Sequence, residues 1–299
     1  MWQAYLKGFK AYLQLERSMS DNTIEAYLHD VAMLRDHVTD VFPGVAVESL
    51  QLEHLQSLLA AINELELSVA TQARVLSGVK SFFRYLLLEE VIKRDPTELL
   101  DAPKLRRALP HVLSLAEIDL LFAAIDHSKP EGVRNHAMLE TMYSCGLRVS
   151  ELISLHISNL YLDVGFVKVI GKGNKERLVP IGEEAVKHIN LYRDNIRVMM
   201  DIKKGHEDIL FLNRRGTMLT RVMVFTILKQ LALKIGIKQK VHPHTLRHSF
   251  ATHLVEGGAD LRAVQEMMGH KSITTTEIYT HLDHTYLRQT LEKYHPRFR

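Results

Sequence analysis

The chain has 299 residues, 46% of them hydrophobic, and its 38 Lys and Arg outnumber 35 Asp and Glu to leave a net charge of +3. That length accommodates two domains, each with its own core, and a balance so near neutral gives by itself no sign of nucleic-acid binding. A single cysteine excludes an intramolecular disulfide and fits a reducing cytoplasm, while Lys7 and Lys10 inside the first apolar stripe, with no long apolar run after it, argue against a signal peptide or a membrane span.

The first hundred residues read as helices. Trp2, Tyr5, Leu6, Phe9, Tyr12 and Leu13 form one apolar stripe, and Ile24, Tyr27, Leu28, Val31, Leu34 and Val38 form a second behind the capping run Ser20-Asp21-Asn22. A third helix is expected over about 53–65 and a fourth from Ser68 to about Leu88, making a four-helix module. On the fourth, Arg74, Lys80 and Arg84 interrupt Val75, Val79, Phe82 and Phe83, which suits a helix with one face in a core and the other near DNA phosphates; a solvated basic face suits the same spacing. Residues 1–110 carry 12 Lys and Arg against 15 Asp and Glu, whereas 111–299 carry 26 against 20, so the basic excess belongs to the second part.

Pro103 and Pro110 bracket Lys104, Arg106 and Arg107 and cannot continue a helix, so 103–110 reads as an extended linker between a domain at 1–102 and another at 111–299. Ser114-Leu115-Ala116-Glu117 is a capping box that opens the second domain, and a further helical run over about 133–143 leads to Arg148. Cys145, with no paired histidine near it in sequence, reads as a small buried residue and not as a nucleophile. Phe166–Ile170 and Arg177–Ile181 read as strands joined by a hairpin loop, Gly171-Lys172-Gly173-Asn174-Lys175, with Lys172 held out from the tip. A phosphate-binding loop of the G-x-x-x-x-G-K-[ST] kind fails here on its spacing. Another strand is expected over 209–212 and another helix from Thr220 to Ile235.

The stretch 241–281 holds most of the reactive groups. Pro243 suits the first turn of a helix that carries His244 and Arg247 three residues apart, on one face near an N-terminus that favours an anion. Gly257-Gly258 ends that helix, Asp260 caps the next, and Gly269 stops it just before His270; Ser272 caps a short segment that carries Tyr279. Taken singly, a histidine after a helix end serves the dipole and a tyrosine serves packing. The histidines of this region suggest a metal, but H-E-x-x-H is missing and Arg247 between His244 and His248 opposes a bound cation, so none is expected.

In this order, H-x-x-R, then G-H, then T-T-x-x-Y-T-H closely resembles the catalytic core of the tyrosine recombinase (phage integrase) family, with the nearest likeness to the Xer-type site-specific recombinases. Cys145-Gly146-Leu147-Arg148-Val149-Ser150-Glu151-Leu152 matches that family's first arginine motif, and Gly171-Lys172-Gly173-Asn174-Lys175 its hairpin lysine. The resemblance implies a mainly α protein: an N-terminal four-helix core-binding domain gripping DNA, with Arg74, Lys80, Arg84, Lys104, Arg106 and Arg107 as candidate phosphate contacts, and a mixed, mostly helical catalytic domain with a small antiparallel β-sheet. It further implies that Tyr279 is the nucleophile, Arg148 and Arg247 bind the phosphate, His270 donates a hydrogen bond, His244 takes part in proton transfer, Lys172 protonates the leaving 5′-oxygen and Glu151 supports Arg148.

A covalent phosphotyrosine keeps the energy of the broken bond, so no cofactor is expected. The resemblance implies four protomers on double-stranded DNA with a Holliday junction intermediate, a second related recombinase and a DNA translocase as candidate partners, and a C-terminal segment with Leu282, Leu287 and Leu291 docking on a neighbouring protomer. The expected role is chromosome dimer resolution or mobile-element integration in the cytoplasm, with no membrane partner and no additional arm-binding domain. A type IB topoisomerase-like relaxing enzyme and a non-catalytic DNA-binding regulator are the alternatives.

Overall fold

A computed structural model describes residues 2–65, 67–101, 112–171, 174–269 and 284–298. The chain separates into two compact units that divide between residues 108 and 109. The expected linker, 103–110, lies outside the described residues.

The first unit is built on four helices: α1 (Trp2–Ala11), α2 (Asp21–Val41), α3 (Leu52–Glu64) and α4 (Val69–Leu88). Each apolar stripe read from the sequence turns inward, so that Phe9, Leu13, Val31, Leu34, Leu55, Val75, Phe82 and Leu86 are almost fully buried. Each such side chain contributes about 1.5–3 kcal/mol. Phe9 meets Phe82 edge to face with ring centroids 5.3 Å apart, which locks α1 onto α4. Ser68 caps α4 by accepting from the Thr71 N–H at 3.2 Å.

The second unit is organised around a buried helix. After α5 (Leu115–Ala123), whose capping box joins Ser114 and Glu117, comes α6 (Pro130–Ser144), buried without a break from His136 to Ser144. It is followed by α7 (Val149–Ile153) and then by strands β1 (Leu160–Tyr161), β2 (Phe166–Ile170) and β3 (Glu176–Pro180), antiparallel in that order. Val167 pairs with Val179 and Ile170 with Glu176, so the two strands pair along their whole length. Helices α8 (Glu183–Asn195), α9 (Arg221–Lys234), α10 (Pro243–Glu256), α11 (Leu261–Met268) and α12 (His284–Tyr294) complete the unit. The fold is therefore mainly helical with a small antiparallel sheet.

Two expectations need correction. No strand forms over 209–212, which makes only isolated bridges, His156 with Ile209 and Leu212 with Met218. Scattered partners take its backbone groups instead: the Arg197 guanidinium donates to the Ile209 carbonyl, the Leu210 N–H to the Leu155 carbonyl, the Leu212 N–H to the Tyr192 hydroxyl, and Arg134 to the Leu212 carbonyl. A segment whose polar groups are met this way has no need of a ladder. Leu287 and Leu291, expected against a neighbouring protomer, are buried in their own unit, and Arg297 beyond them forks onto Glu140 at 2.9 and 3.1 Å. Leu282 lies outside the described residues. Among the described residues no helix is long and apolar enough to cross a membrane.

Candidate active site

Helix α6 stops at Ser144, and the chain reverses through Gly146 at φ +57°, where a Cβ would stand 2.4 Å from the Phe250 ring. Only glycine fits such a turn at such an approach. The reversal delivers Arg148 to the N-cap of α7, where the Glu151 carboxylate holds it twice: Oε2 accepts the Arg148 backbone N–H at 2.8 Å and Oε1 accepts Nη1 at 2.8 Å. Glu151 is 3% exposed, so its charge needs partners inside the protein. Arg177, from β3, forks onto both of its oxygens at 2.9 Å, and Arg247, from α10, brings Nη1 to 3.8 Å from Oε2. Three guanidiniums thus share one carboxylate.

The same three arginines close the end of α11. The last carbonyls of a helix have no intrahelical donor and carry the negative end of its dipole. Here Met267 accepts from Arg177 Nε at 3.0 Å, Met268 from Arg247 Nη2 and Gly269 from Arg148 Nη2 at 3.0 Å. Gly269 adopts φ +62°, the left-handed conformation that ends helices. Arg247 also donates to the Gly146 carbonyl, which ties α10 back to the turn before Arg148.

Burial alone would push the Glu151 carboxyl up; Arg177 first, and then Arg148, hold it below the usual carboxylate range. Burial, with the neighbouring Arg148 and Arg177 charges, lowers Arg247 to about 10, so it stays cationic at neutral pH. Three fixed positive charges against one negative leave an excess suited to a phosphate, and Arg148, with 31% of its side chain exposed, is the most accessible of them. His244 lies one turn before Arg247 and is exposed, with its ring 6.2 Å from that of His242. His242 itself caps α10, its Nδ1 accepting from the Thr245 N–H at 3.3 Å.

Of the expected site residues, Arg148, Glu151 and Arg247 are brought together, His244 stands on the same helix as Arg247, and Lys172, His270 and Tyr279 lie outside the described residues. Of the candidate DNA contacts, Arg74 is committed to buried Asp30 and Lys80 donates to the Leu100 carbonyl at 2.6 Å, while Arg84 is exposed. Lys104, Arg106 and Arg107 also lie outside the described residues. Cys145 is fully buried, and burial pushes its thiol up to about 12, which leaves it inert as a nucleophile. Among the described residues no group of His, Cys, Asp and Glu converges as metal ligands.

The sequence presents Arg177 only as the start of a strand. A signal for it existed, because Arg177 shares a strand face with Val179, which is fully buried, and an arginine on an inward face requires a partner.

Residues 111–285 match the Phage integrase family, and residues 6–90 match the Phage integrase, N-terminal SAM-like domain. Over 295 residues the chain is 40% identical to a protein named tyrosine recombinase XerD from Staphylococcus aureus, with 99% of each covered. A protein of the same name from Oceanobacillus iheyensis is 41% identical over 297 residues, covering 99% of this chain and 100% of that one. In fold, the chain is similar to the XerH site-specific recombinase in a post-cleavage complex with palindromic difH substrate, with a TM-score of 0.71 and 24% identity over 90% of this chain and 79% of that one. It is also similar to the Tn1549 transposon integrase in complex with circular intermediate DNA, with a TM-score of 0.71 and 20% identity over 97% and 94%.

Proposed function

The chain belongs to the phage integrase family and is a site-specific tyrosine recombinase of the Xer type, and from that premise we propose how its own residues carry out the reaction. The Tyr279 oxygen attacks the phosphorus of a DNA phosphodiester, a 3′-phosphotyrosine bond forms, and the bond to the 5′-oxygen breaks. His244 moves the phenolic proton, and Lys172 gives one to the departing 5′-oxygen. Arg148 and Arg247 bind the non-bridging oxygens, and His270 donates to one of them. Glu151 keeps Arg148 in place. Rejoining runs the same steps backward with a 5′-hydroxyl from a second duplex as the attacking group, and no nucleotide or metal enters the balance.

The observation that carries this reading is the arginine trio held by one buried carboxylate, since phosphoryl-transfer catalysis rests on positive charge fixed in advance around the reacting oxygens. In this reading residues 1–102 form the core-binding domain, 103–110 the linker and 111–299 the catalytic domain. Arg84 is the most available phosphate contact of its helix, with Lys104, Arg106 and Arg107 as further ones, whereas Arg74 and Lys80 reach DNA only by giving up partners within their unit.

The protein works on double-stranded DNA as a tetramer, together with a second related recombinase and a DNA translocase, in the cytoplasm. Its role is resolution of chromosome dimers ahead of partition and cell division. The full-length likeness to proteins named XerD supports this, and the DNA complexes of similarly folded recombinases support assembly on DNA. The test is strand exchange between two differently labelled duplexes bearing a site recovered by covalent capture from genomic fragments. Hybrid duplexes and a four-way junction intermediate are expected. Relaxation of supercoils without hybrids would assign a topoisomerase-like activity instead.

A further inference from the structure

Arg177 stands where three stretches of chain meet. Its two Nη atoms fork onto Glu151 at 2.9 Å, and its Nε donates to the Met267 carbonyl at 3.0 Å. Its guanidinium lies 3.1 Å from the point where a Cβ on Gly269 would sit, and its Nη1 lies 3.5 Å from the corresponding point on Gly171. Those two glycines directly precede His270 and Lys172 in the sequence. The Arg177 side chain is 15% exposed, and its forked edge is already spent on a carboxylate, so it has no second fork to offer a phosphate.

We propose that Arg177 is a positioning residue of the recombination site, which clamps Glu151 against Arg148 and pins the end of α11, at the Met267 carbonyl, from which the chain enters His270. One rigid planar group does three tasks here: it completes the shell of a buried carboxylate, caps a helix carbonyl and fills the space into which a side chain at Gly269 would project. A lysine carries the same charge but is a point donor on a flexible stem, unable to span two carboxylate oxygens and a carbonyl at once. Position, rather than charge, is therefore what Arg177 supplies. The proposal rests on the reading of this centre as a phosphodiester-cleaving site.

The test compares the unmutated chain with Arg177→Lys and Arg177→Ala on a duplex recovered by covalent capture with the unmutated protein. Both variants should fold, bind DNA within about 3-fold of the parent, and form the covalent adduct at least about 10-fold more slowly at saturating DNA, as misplacement at a distance from the chemistry does. Methylguanidinium should speed Arg177→Ala by refilling the space beside Glu151. The acid limb of the rate profile should move to higher pH in Arg177→Ala, because Glu151 then keeps only Arg148, from α7, and Arg247, from α10, facing it.

A loss of DNA affinity equal to the loss of rate, with a salt slope smaller by about one, would make Arg177 a phosphate ligand and overturn the proposal. A rate that falls only with the folded fraction, with an unmoved pH profile and no rescue, would make it plain scaffold, as would failure of both variants to fold. Should the unmutated protein form no adduct at all, the reading of the site fails and this proposal falls with it.

Discussion

Glu151 holds Arg148 at both ends, by its backbone N–H at 2.8 Å and by its Nη1 at 2.8 Å, so the rotamer of this arginine is fixed before any phosphate arrives. Fixed donors need no reorganisation when charge develops, and the carboxylate that fixes this one is almost fully buried.

Replacing Glu151 by Ala leaves three guanidiniums facing one another. Removing one partner of a buried ion pair costs about 3–5 kcal/mol, so the urea midpoint of Glu151→Ala should drop sharply with little change in slope. Glu151→Gln keeps the shape and half the acceptors and should lose less. An unchanged midpoint for Glu151→Ala would mean that the trio does not depend on its carboxylate.

Arg148→Ala and Arg247→Ala should each slow covalent cleavage by about 100-fold or more while DNA affinity changes little, since many other phosphate contacts remain. They should differ in stability. Arg247 is buried and joins the Gly146 and Met268 carbonyls, whereas Arg148 has 31% of its side chain exposed, so calorimetry should find the larger fall in Tm for Arg247→Ala. Equal losses in affinity and cleavage would reduce both arginines to docking contacts.

Much of this arrangement was legible in the sequence, and for physical reasons. Motifs with local geometry read directly: Ser114 with Glu117, Pro243 at the start of α10, Asp260 capping α11 and Gly269 ending it are all rules of one helix turn. What failed to read was tertiary. The run at 209–212 has a strand's composition, but Arg197, Arg134 and Tyr192 claim its backbone, and nothing local announces them. Arg74 and Lys80 sit on a basic face as expected, yet the partners that engage them, Asp30 and the Leu100 carbonyl, lie 44 and 20 residues away in sequence. The role of Arg177 does not read locally because its partners come from α7 and α11, which only the fold brings beside β3.

Acid should loosen the second unit before most carboxylates titrate. Burial pushes His295 down to about 3 and His188 down to about 4, the latter stacked on His136 with centroids 3.7 Å apart. Free histidine titrates near pH 6.5, roughly, so between those values the unfolded chain binds protons that the folded chain refuses. Stability from these neutral rings is complete above about pH 6.5 and drains as pH falls toward 4 and then 3, by up to about 1.4 kcal/mol per pH unit for fully buried His295. Tm measured against pH should fall across that window, and less steeply in His188→Asn. A profile flat down to about pH 4.5 would contradict the assignment.

Lys172 can be tested by changing the leaving group. A 5′-bridging sulfur departs as a thiolate without needing a proton, so Lys172→Ala should cleave such a duplex at nearly the parental rate while Arg247→Ala remains slow. Failure of sulfur to rescue Lys172→Ala would move this lysine from proton donor to phosphate binding and leave His244 or His270 as the acid.

In the proposed reaction Tyr279 becomes the covalent link to DNA. The direct measurement is denaturing electrophoresis of the protein on a captured duplex, with mass-spectrometric mapping of the nucleotide-bearing peptide in the parent and in Tyr279→Phe. The parent should carry a 3′-phosphotyrosine at Tyr279, and Tyr279→Phe should bind the same duplex with unchanged affinity and form no adduct. An adduct in Tyr279→Phe, or one mapped to Tyr286 or Tyr294, would contradict the account.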